Sequence, residues 1–442
     1  MAIVNITNVE QQPLHEQLLG ASLEAPVVSA TSSTYSFNVK GWALGRGAEV
    51  ESFQVIDGDR VAAEVPPNQS RGDVSATFPD VAAAESSGFQ TLVRAIELPR
   101  QFRIEIVAAL VDGTRCRLAT IEGEREPLAV DRTSALQPLM LTTIGRSGSK
   151  WLAWLVSCHP SIVAFQPLVF EPRVTTYWAT VFRALTAPRS YLRQIHTERW
   201  DEPRWWLGDG SGPLPAPVEL GVADWLGTDA VRQVAAACQE RVEAFYREVT
   251  EKSGKADVRY FAEKCLLDPV LLDLTSEIFP GARELILVRD FRDRLSSVFA
   301  WNEKRDDHGF GHAAEMSKAE YLAERVRADA EGLLRRWRRQ GDAAHLVRYE
   351  DLILQPAETL TGLLEYLGLD ANASLVEGML EEATRPDELL DAHRTVSDPA
   401  QTIGRWRRDL PPALAEECNE ILAPVLAEFG YSTDLEAVEG GE

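Results

Sequence analysis

Cysteine is scarce in this chain, and what there is does not pair. Cys116, Cys158, Cys238, Cys265 and Cys418 are odd in number, far apart and without a CxxC spacing. That excludes a disulfide framework and a zinc knuckle, and it points to a reducing compartment, so the cytoplasm is the expected location. Long apolar runs are missing too: no stretch of about 18 apolar residues is available to cross a bilayer. The opening MAIVNITNVEQQPLHEQ lacks the basic start and apolar stretch of a secretory signal. Positive charge is in deficit, with 45 Lys and Arg against 68 Asp and Glu and a formal charge of −23. A polyanion would meet net repulsion, so free nucleic acid is excluded as the main partner. Internal repeats, low-complexity tracts and metal-ligand clusters are not found either.

What is present is the balance of a globular protein, with 45% hydrophobic and 26% charged residues over 442 positions. A chain of this length holds two domains, or three at most. Short strands are predicted from about residue 35 to 122: Tyr35–Leu44, Val50–Ile56, and a hairpin of Arg103–Val111 with Arg115–Ile121 around Asp112-Gly113-Thr114. They predict a small antiparallel β-sandwich over residues 1–128. Residues 122–135, charged and rich in turn formers, read as a linker.

Beyond it, Pro138–Ile144 and Arg283–Arg289 read as short buried strands, each followed by a helical pattern. The expected class for residues 129–442 is therefore α/β: a parallel sheet with helices on both faces and a phosphate-binding loop. Helices are expected near 228–252, over 316–341 and 356–384, and from Pro411 to Phe429. The segment 186–227, rich in proline and tryptophan, reads as a lid or a wrapped surface loop.

The strand at 138–144 runs into Gly145-Arg146-Ser147-Gly148-Ser149-Lys150 and then Trp151-Leu-Ala-Trp-Leu-Val156. Strand, tight turn and helix in that order aim backbone N–H groups and the positive end of a helix at one anion. Gly145 and Gly148 let the backbone curl, Arg146 and Lys150 bring charge, and Ser147 and Ser149 bring hydroxyls. Walker A spacing is not met, since Trp151 stands where Ser or Thr would follow the lysine, which demotes an ordinary ATPase or kinase. A simple helix cap is the plainer reading.

Arg289 falls at the carboxyl end of its strand, where ligands sit in open α/β sheets, and Ser297 lies two turns into the next helix. The two can hold one phosphate, or Arg289, Asp290, Arg292 and Asp293 simply form ion pairs. Near the C-terminus, Thr402-Ile-Gly404-Arg405-Trp406-Arg407-Arg408-Asp409 gathers three arginines, a glycine and one indole. This is a local anion site with Trp406 free to stack on a base, or a solvated helix start.

Taken in order, these pieces resemble the sulfotransferases that use 3′-phosphoadenosine 5′-phosphosulfate. The resemblance spans roughly residues 136–432 and rests on RSGSKWL with His159-Pro160 behind it, on LVRDFRDRLSS, on Val347–Leu352 with Pro356 and Leu367-Gly368-Leu369, and on IGRWRRDL before Phe429-Gly430-Tyr431. It implies that Arg146, Ser147, Gly148, Ser149, Lys150 and Trp151 bind the 5′-phosphosulfate and that Arg289 and Ser297 bind the 3′-phosphate. Gly404, Arg405, Trp406 and Arg407 would close over the nucleotide. Tyr349 frames the adenine side or is a core tyrosine. The co-substrate is implied without a metal, and the acceptor is a hydroxyl of a carbohydrate or another metabolite.

Arg146 departs from the lysine of well-known cytosolic members, and Lys150 is a nearby substitute as donor to the leaving oxygen. For the general base, Glu171 is the first choice, with the alternative of a carboxylate at a helix N-terminus. Glu263-Lys264 is similar to Glu-Lys pairs of polysaccharide sulfotransferases, where Lys264 would hold a sulfonate oxygen; a plain ion pair is the alternative. His159, His308 and His312 rank below these. Gln166 and Pro167 occupy the place where tyrosine-modifying members carry a carboxylate, which disfavours protein tyrosine as acceptor. Residues Gly41–Leu44 and Phe78–Asp80 of the β domain resemble sandwich modules beside bacterial glycan-modifying enzymes. A nucleotide-dependent phosphotransferase and a non-catalytic binder of glycan and nucleotide are the competing functions.

Overall fold

The computed structural model describes residues 2–130, 132–166, 171–186, 228–265, 267–306, 308–385 and 398–434. Pro167 and the tryptophan-rich stretch with Trp200, Trp205, Trp206 and Trp225 lie outside the described residues. Two compact units emerge, one of Met1–Arg132 with Ala179–Cys238 and one of Thr133–Trp178 with Gln239–Glu442.

The first unit is built on nine strands: β1 Val4–Gln11, β2 Leu18–Ala25, β3 Thr31–Ser32, β4 Ser36–Gly45, β5 Val50–Asp57, β6 Arg60–Val65, β7 Gly88–Arg94, β8 Gln101–Leu110 and β9 Arg115–Arg125. They form a six-stranded sheet in the order β3-β1-β9-β8-β5-β6 and a three-stranded sheet β2-β4-β7, with antiparallel pairings throughout. Phe53 of β5 stacks on Phe89 of β7 at 4.0 Å and Phe37 of β4 on Phe102 of β8 at 5.6 Å, so the sheets are joined by aromatic pairs from alternating inward positions. The expected sandwich is present, and its strands begin before residue 35, where the strand signals were read to start, because β1 and β2 carry polar residues that mask their alternation. The expected linker starts inside β9, whose pairing with β1 runs to Arg125.

The second unit holds a parallel sheet of five strands in the order β11-β12-β10-β13-β14. These are β10 Gln137–Thr143, β11 Ile162–Ala164, β12 Tyr260–Cys265, β13 Arg283–Val288 and β14 Ala344–Arg348. Both faces of this sheet are covered, as the unbroken apolar runs require. Leu285 and Leu287 share a core with the helices Ser149–Ser157, Pro356–Tyr366 and Ala373–Thr384. Ile286 and Val288, on the opposite side of the pleat, share another with Phe291–Arg305, Arg327–Gln340 and Pro412–Glu428. From β10 the chain crosses to the β11 edge, whereas from β13 it crosses to β14. The carboxyl ends of β10 and β13 therefore flank a topological switch point, the usual ligand crevice of an open parallel sheet.

The stretch 356–384 is two helices, not the single one expected. Leu367-Gly368-Leu369 closes the first: Gly368 takes φ +63°, and the amides of Gly368 and Leu369 donate back to Glu365 and Leu364. In 316–341 the helix passes through a wider π turn at Tyr321–Val326 before Arg327–Gln340.

Beneath the sheet, Arg336 donates to both oxygens of Glu284, at 2.6 Å at the shortest, and to Asp273 at 2.5 Å, while Thr142 Oγ1 donates to Glu284 at 2.6 Å. Arg336 is fully buried, so removing it strands a carboxylate in the interior. Arg336→Ala should destabilise this unit by about 3–5 kcal/mol in urea unfolding; a loss below about 1 kcal/mol would show that the network is dispensable.

Candidate functional site

The loop after β10 turns on two left-handed residues. Gly148, at φ +88°, caps the helix Ser149–Ser157, and a Cβ there would meet the Tyr349 ring at 2.6 Å. Arg146 is a non-glycine at φ +72°, a conformation that costs about 1–2 kcal/mol and needs outside support. Two guanidinium groups supply it. Arg294 Nε donates to the Gly145 carbonyl at 3.0 Å, and Arg289 Nη1 donates to the Arg146 carbonyl at 3.1 Å. Gly145 is also required: its Cβ would lie 2.5 Å from the Phe310 ring.

From this turn the Arg146 side chain reaches back to the helix that follows β13. Its Nε donates to Ser297 Oγ at 3.2 Å, and its guanidinium lies 4.5 Å from the centre of the Trp301 ring and 5.9 Å from that of Phe310. Burial first, then the charges of Arg289 and Arg405, pull its pKa down to about 10. Arg289 lies over the Tyr349 ring at 4.7 Å, and its Nη2 donates to the Thr402 carbonyl at 2.9 Å. Tyr349 and Thr402 share a hydroxyl hydrogen bond of 3.1 Å. The residues expected at the two ends of a nucleotide, Arg146 and Ser297 with Arg289, are thus in direct contact.

Of the buried donors of these residues that have no partner among the described residues, Arg294 Nη1, Trp406 Nε1, Ser147 Oγ and Arg289 Nε, the last two belong to the loop and to the arginine that clamps it. An uncompensated buried donor costs about 1–3 kcal/mol, and an anion between them would satisfy both. With guanidinium groups gathered in a protein of charge −23, the donor set fits a phosphate-bearing ligand.

On the other flank of the loop, Glu171 lies between two lysines. Lys264 Nζ donates to its oxygens at 3.1 and 3.3 Å, and Lys150 Nζ is 3.8 Å away. Burial lowers the Lys150 pKa, as do Lys264 and Arg146, while Glu171 opposes them. Lys264 leaves β12 at the register of Leu141 on β10, beside the loop. Its neighbour Glu263 points to the opposite side of the pleat. There it accepts from the Thr175 amide at 3.0 Å, from the Thr175 hydroxyl and from Tyr246 OH at 3.2 Å. Glu263 is therefore placed as the acceptor for the start of the helix Val174–Leu185, apart from the Lys150-Glu171-Lys264 row.

The C-terminal segment is divided as well. Gly404, at φ +67°, and Trp406 donate their amides to the two oxygens of Asp293 at 2.7 and 2.9 Å. Arg405 is clamped on Asp409 at 2.5 Å. The Trp406 ring does not face a ligand space: it sinks into the core under Arg292 at 4.1 Å and Arg407 at 4.4 Å. Trp151 likewise packs on the apolar core of its own helix. His159 accepts from Ser161 N and contacts the Asp370 carbonyl, a packing role that sets it apart from the row of lysines.

Arg294, Trp301 and Phe310 are the participants that residue patterns alone did not single out, since they depend on contacts between segments distant in sequence. Thr402 stood at the head of the 402–409 segment, and Asp293 was read only as an ion-pair partner, whereas its carboxylate takes two backbone amides. Among the described residues no helix is long and apolar enough to cross a membrane, and no group of three or more potential metal ligands occurs.

With this geometry in place the class follows. Residues 138–373, more than half of the chain, match the sequence profile of the sulfotransferase family, and the chain belongs to that family. Among solved structures, it is similar to the sulfotransferase domain of a Synechococcus olefin synthase, with 18% identity and a TM-score of 0.40 over 70% of this chain and 99% of that one. A sulfotransferase domain from the curacin biosynthetic pathway shows 17% identity and a TM-score of 0.40, covering 68% and 99%. A mouse sulfotransferase complexed with PAP shows 12% and 0.37, covering 67% and 86%. No curated protein matches the chain.

Burial pushes the Glu263 carboxyl up to about 7. The folded protein therefore holds this proton more tightly than the unfolded chain, where a glutamate titrates near 4.3. The stability this contributes is full below about 4 and is lost as the pH rises through about 7. Glu263→Gln should flatten that slope, seen as melting temperatures that drop less than those of the unaltered protein between pH 5 and 8. Parallel melting curves would contradict the assignment.

Proposed function

We propose that the protein transfers a sulfuryl group from 3′-phosphoadenosine 5′-phosphosulfate to the hydroxyl of an acceptor, a carbohydrate or another metabolite. The observation that carries this reading is the convergence of Arg146, Ser297 and Arg289 at the switch point, with Ser147 Oγ and Arg289 Nε left as buried donors without partners. In this reading the loop Arg146–Lys150 holds the 5′ end, Arg289 and Ser297 the 3′-phosphate, and Tyr349 with Gly404, Arg405 and Arg407 borders the nucleotide, while Trp406 anchors that segment in the core. The donor supplies an activated sulfuryl group whose loss leaves a bisphosphate.

Catalysis then rests on what the chain's own groups do. Arg146 and Lys150 set fixed positive charge where negative charge grows on the departing oxygen, the dominant contribution expected at such a site. Arg146 presents a planar fork, and its Ser297 bond and the Trp301 ring limit the orientations of that fork. Glu171 accepts the acceptor's proton, and Lys264, which donates to Glu171, orients it and would hold a sulfonate oxygen. Glu263 supports the segment that carries Glu171 through Thr175. No step calls for a metal.

The β-sandwich, residues 1–128, is assigned an accessory role beside the catalytic residues 129–442, and a glycan is the candidate it would present. The cytoplasm is the proposed location, in keeping with five cysteines that carry free thiols.

Thermal shift separates the readings, because a ligand that binds only the native state raises the melting temperature. Adenosine 3′,5′-bisphosphate should raise it and ATP should not; the reverse would favour a phosphotransferase. Transfer of labelled sulfate into glycans, lipids and phenols tests turnover, and tight nucleotide binding with no transfer to any acceptor would favour a binder. Arg146→Ala should lower kcat by about a hundredfold, the size of effect seen when one transition-state donor is removed, with a smaller change in donor affinity. Unchanged turnover would refute its role.

A further inference from the structure

The proposed reaction does not use Asp293, yet this side chain is almost completely buried and wholly committed. It sits in the first turn of the helix Phe291–Arg305, four residues after Arg289 and four before Ser297. One carboxylate oxygen accepts from Gly404 N at 2.7 Å and the other from Trp406 N at 2.9 Å. The nearby acid Asp290 is otherwise engaged, since Arg292 holds both of its oxygens and its amide donates to Glu350. Asp293 thus takes the amides of Gly404 and Trp406, and Gly404, at φ +67°, gives that backbone the curl that turns both amides toward one carboxylate.

The same segment is fastened at its other end. Two residues before Gly404, the Thr402 carbonyl accepts from Arg289 Nη2 at 2.9 Å, and its hydroxyl meets Tyr349 OH. Arg289 in turn supports the Arg146 carbonyl. A continuous set of hydrogen bonds therefore runs from Asp293 through the 402–406 backbone to Arg289 and on to the left-handed turn at Arg146.

We propose that Asp293 is a positioning residue for the nucleotide: by holding the amides of Gly404 and Trp406 it fixes the C-terminal segment, and with it the Thr402 carbonyl that aims Arg289. The inference rests on the reading of the site given above. Asp293 touches no ligand itself; its effect reaches the bound nucleotide through the orientation of Arg289 and the placement of Gly404 and Arg405. A carboxylate is suited to this because it offers a separate acceptor to each amide. Asparagine offers only one and leaves the other amide buried without a partner.

Calorimetric titration with adenosine 3′,5′-bisphosphate tests this in the full chain. Asp293→Asn should weaken the dissociation constant by about tenfold or more, equivalent to about 1.4 kcal/mol. The loss should be larger in donor KM than in kcat, and kcat at saturating donor should fall by less than in Arg146→Ala. A role confined to packing would lower the melting temperature and leave the dissociation constant of the folded fraction unchanged, and that result overturns the inference. Should Asp293→Asn fail to fold, Gly404→Ala strains the same segment from its own backbone and is read identically: weakened binding supports the proposal and unchanged binding overturns it. If the unaltered protein does not bind the bisphosphate at all, the reading of the site falls, and this inference with it.

Discussion

Like charges packed side by side are the constraint around which the second unit is organised. Burial first, and then the charges of Arg289 and Arg405, lower the readiness of Arg146 to hold its proton. The fold resists that repulsion by giving each guanidinium a fixed place: Arg289 on two backbone carbonyls and the Tyr349 ring, Arg146 on Ser297 and the Trp301 ring, and Arg405 on Asp409. In the proposed reading, an anion bound among them would relieve the repulsion and satisfy the orphaned donors at Ser147 and Arg289, as a nucleotide with phosphate at both ends would.

Strain is held in the same place. The left-handed Arg146 is clamped on either side, the Gly145 carbonyl by Arg294 and its own by Arg289, so the turn is held by the protein's own groups. Such preorganisation is the form in which fixed charge is most effective on a developing oxyanion. The sheet supports it because alternate residues of β13 anchor helices on opposite faces, and this leaves the carboxyl ends of β10 and β13 open to the crevice between them. On the far side of the loop, β12 divides its labour by the pleat: Lys264 reaches Glu171 in the row of charges, and Glu263 goes inward to Thr175.

Much of this was legible in the residues. The strand-turn-helix spacing of 138–156 and the buried run of 283–289 are local signals, and the parallel sheet agrees with them; the contact of Arg146 with Ser297 was not legible, since the two were expected at opposite ends of a nucleotide. The early strands β1 and β2 were not legible, because their outward residues are polar and their inward ones few. Trp406 shows a different limit: its neighbours Arg405 and Arg407 resemble an anion site, but which way an indole turns depends on the core that receives it, here that around Phe291 and Cys418. Glu263 and Lys264 illustrate the same point on a strand, where adjacent side chains lie on opposite faces and a pair in sequence is not a pair in space. Asp293 is intermediate, since its carboxylate is visible in the pattern but its partners are amides more than a hundred residues away.

The central claim is that the two cationic groups hold opposite ends of one molecule, and comparative calorimetry tests it most directly. Adenosine 3′,5′-bisphosphate should bind at least about a hundredfold more tightly than adenosine 5′-monophosphate or 3′-monophosphate, because joining two anchored phosphates makes the second contact intramolecular. Equal affinities for all three would mean that Arg146 and Arg289 do not act on a single ligand, and would contradict the account.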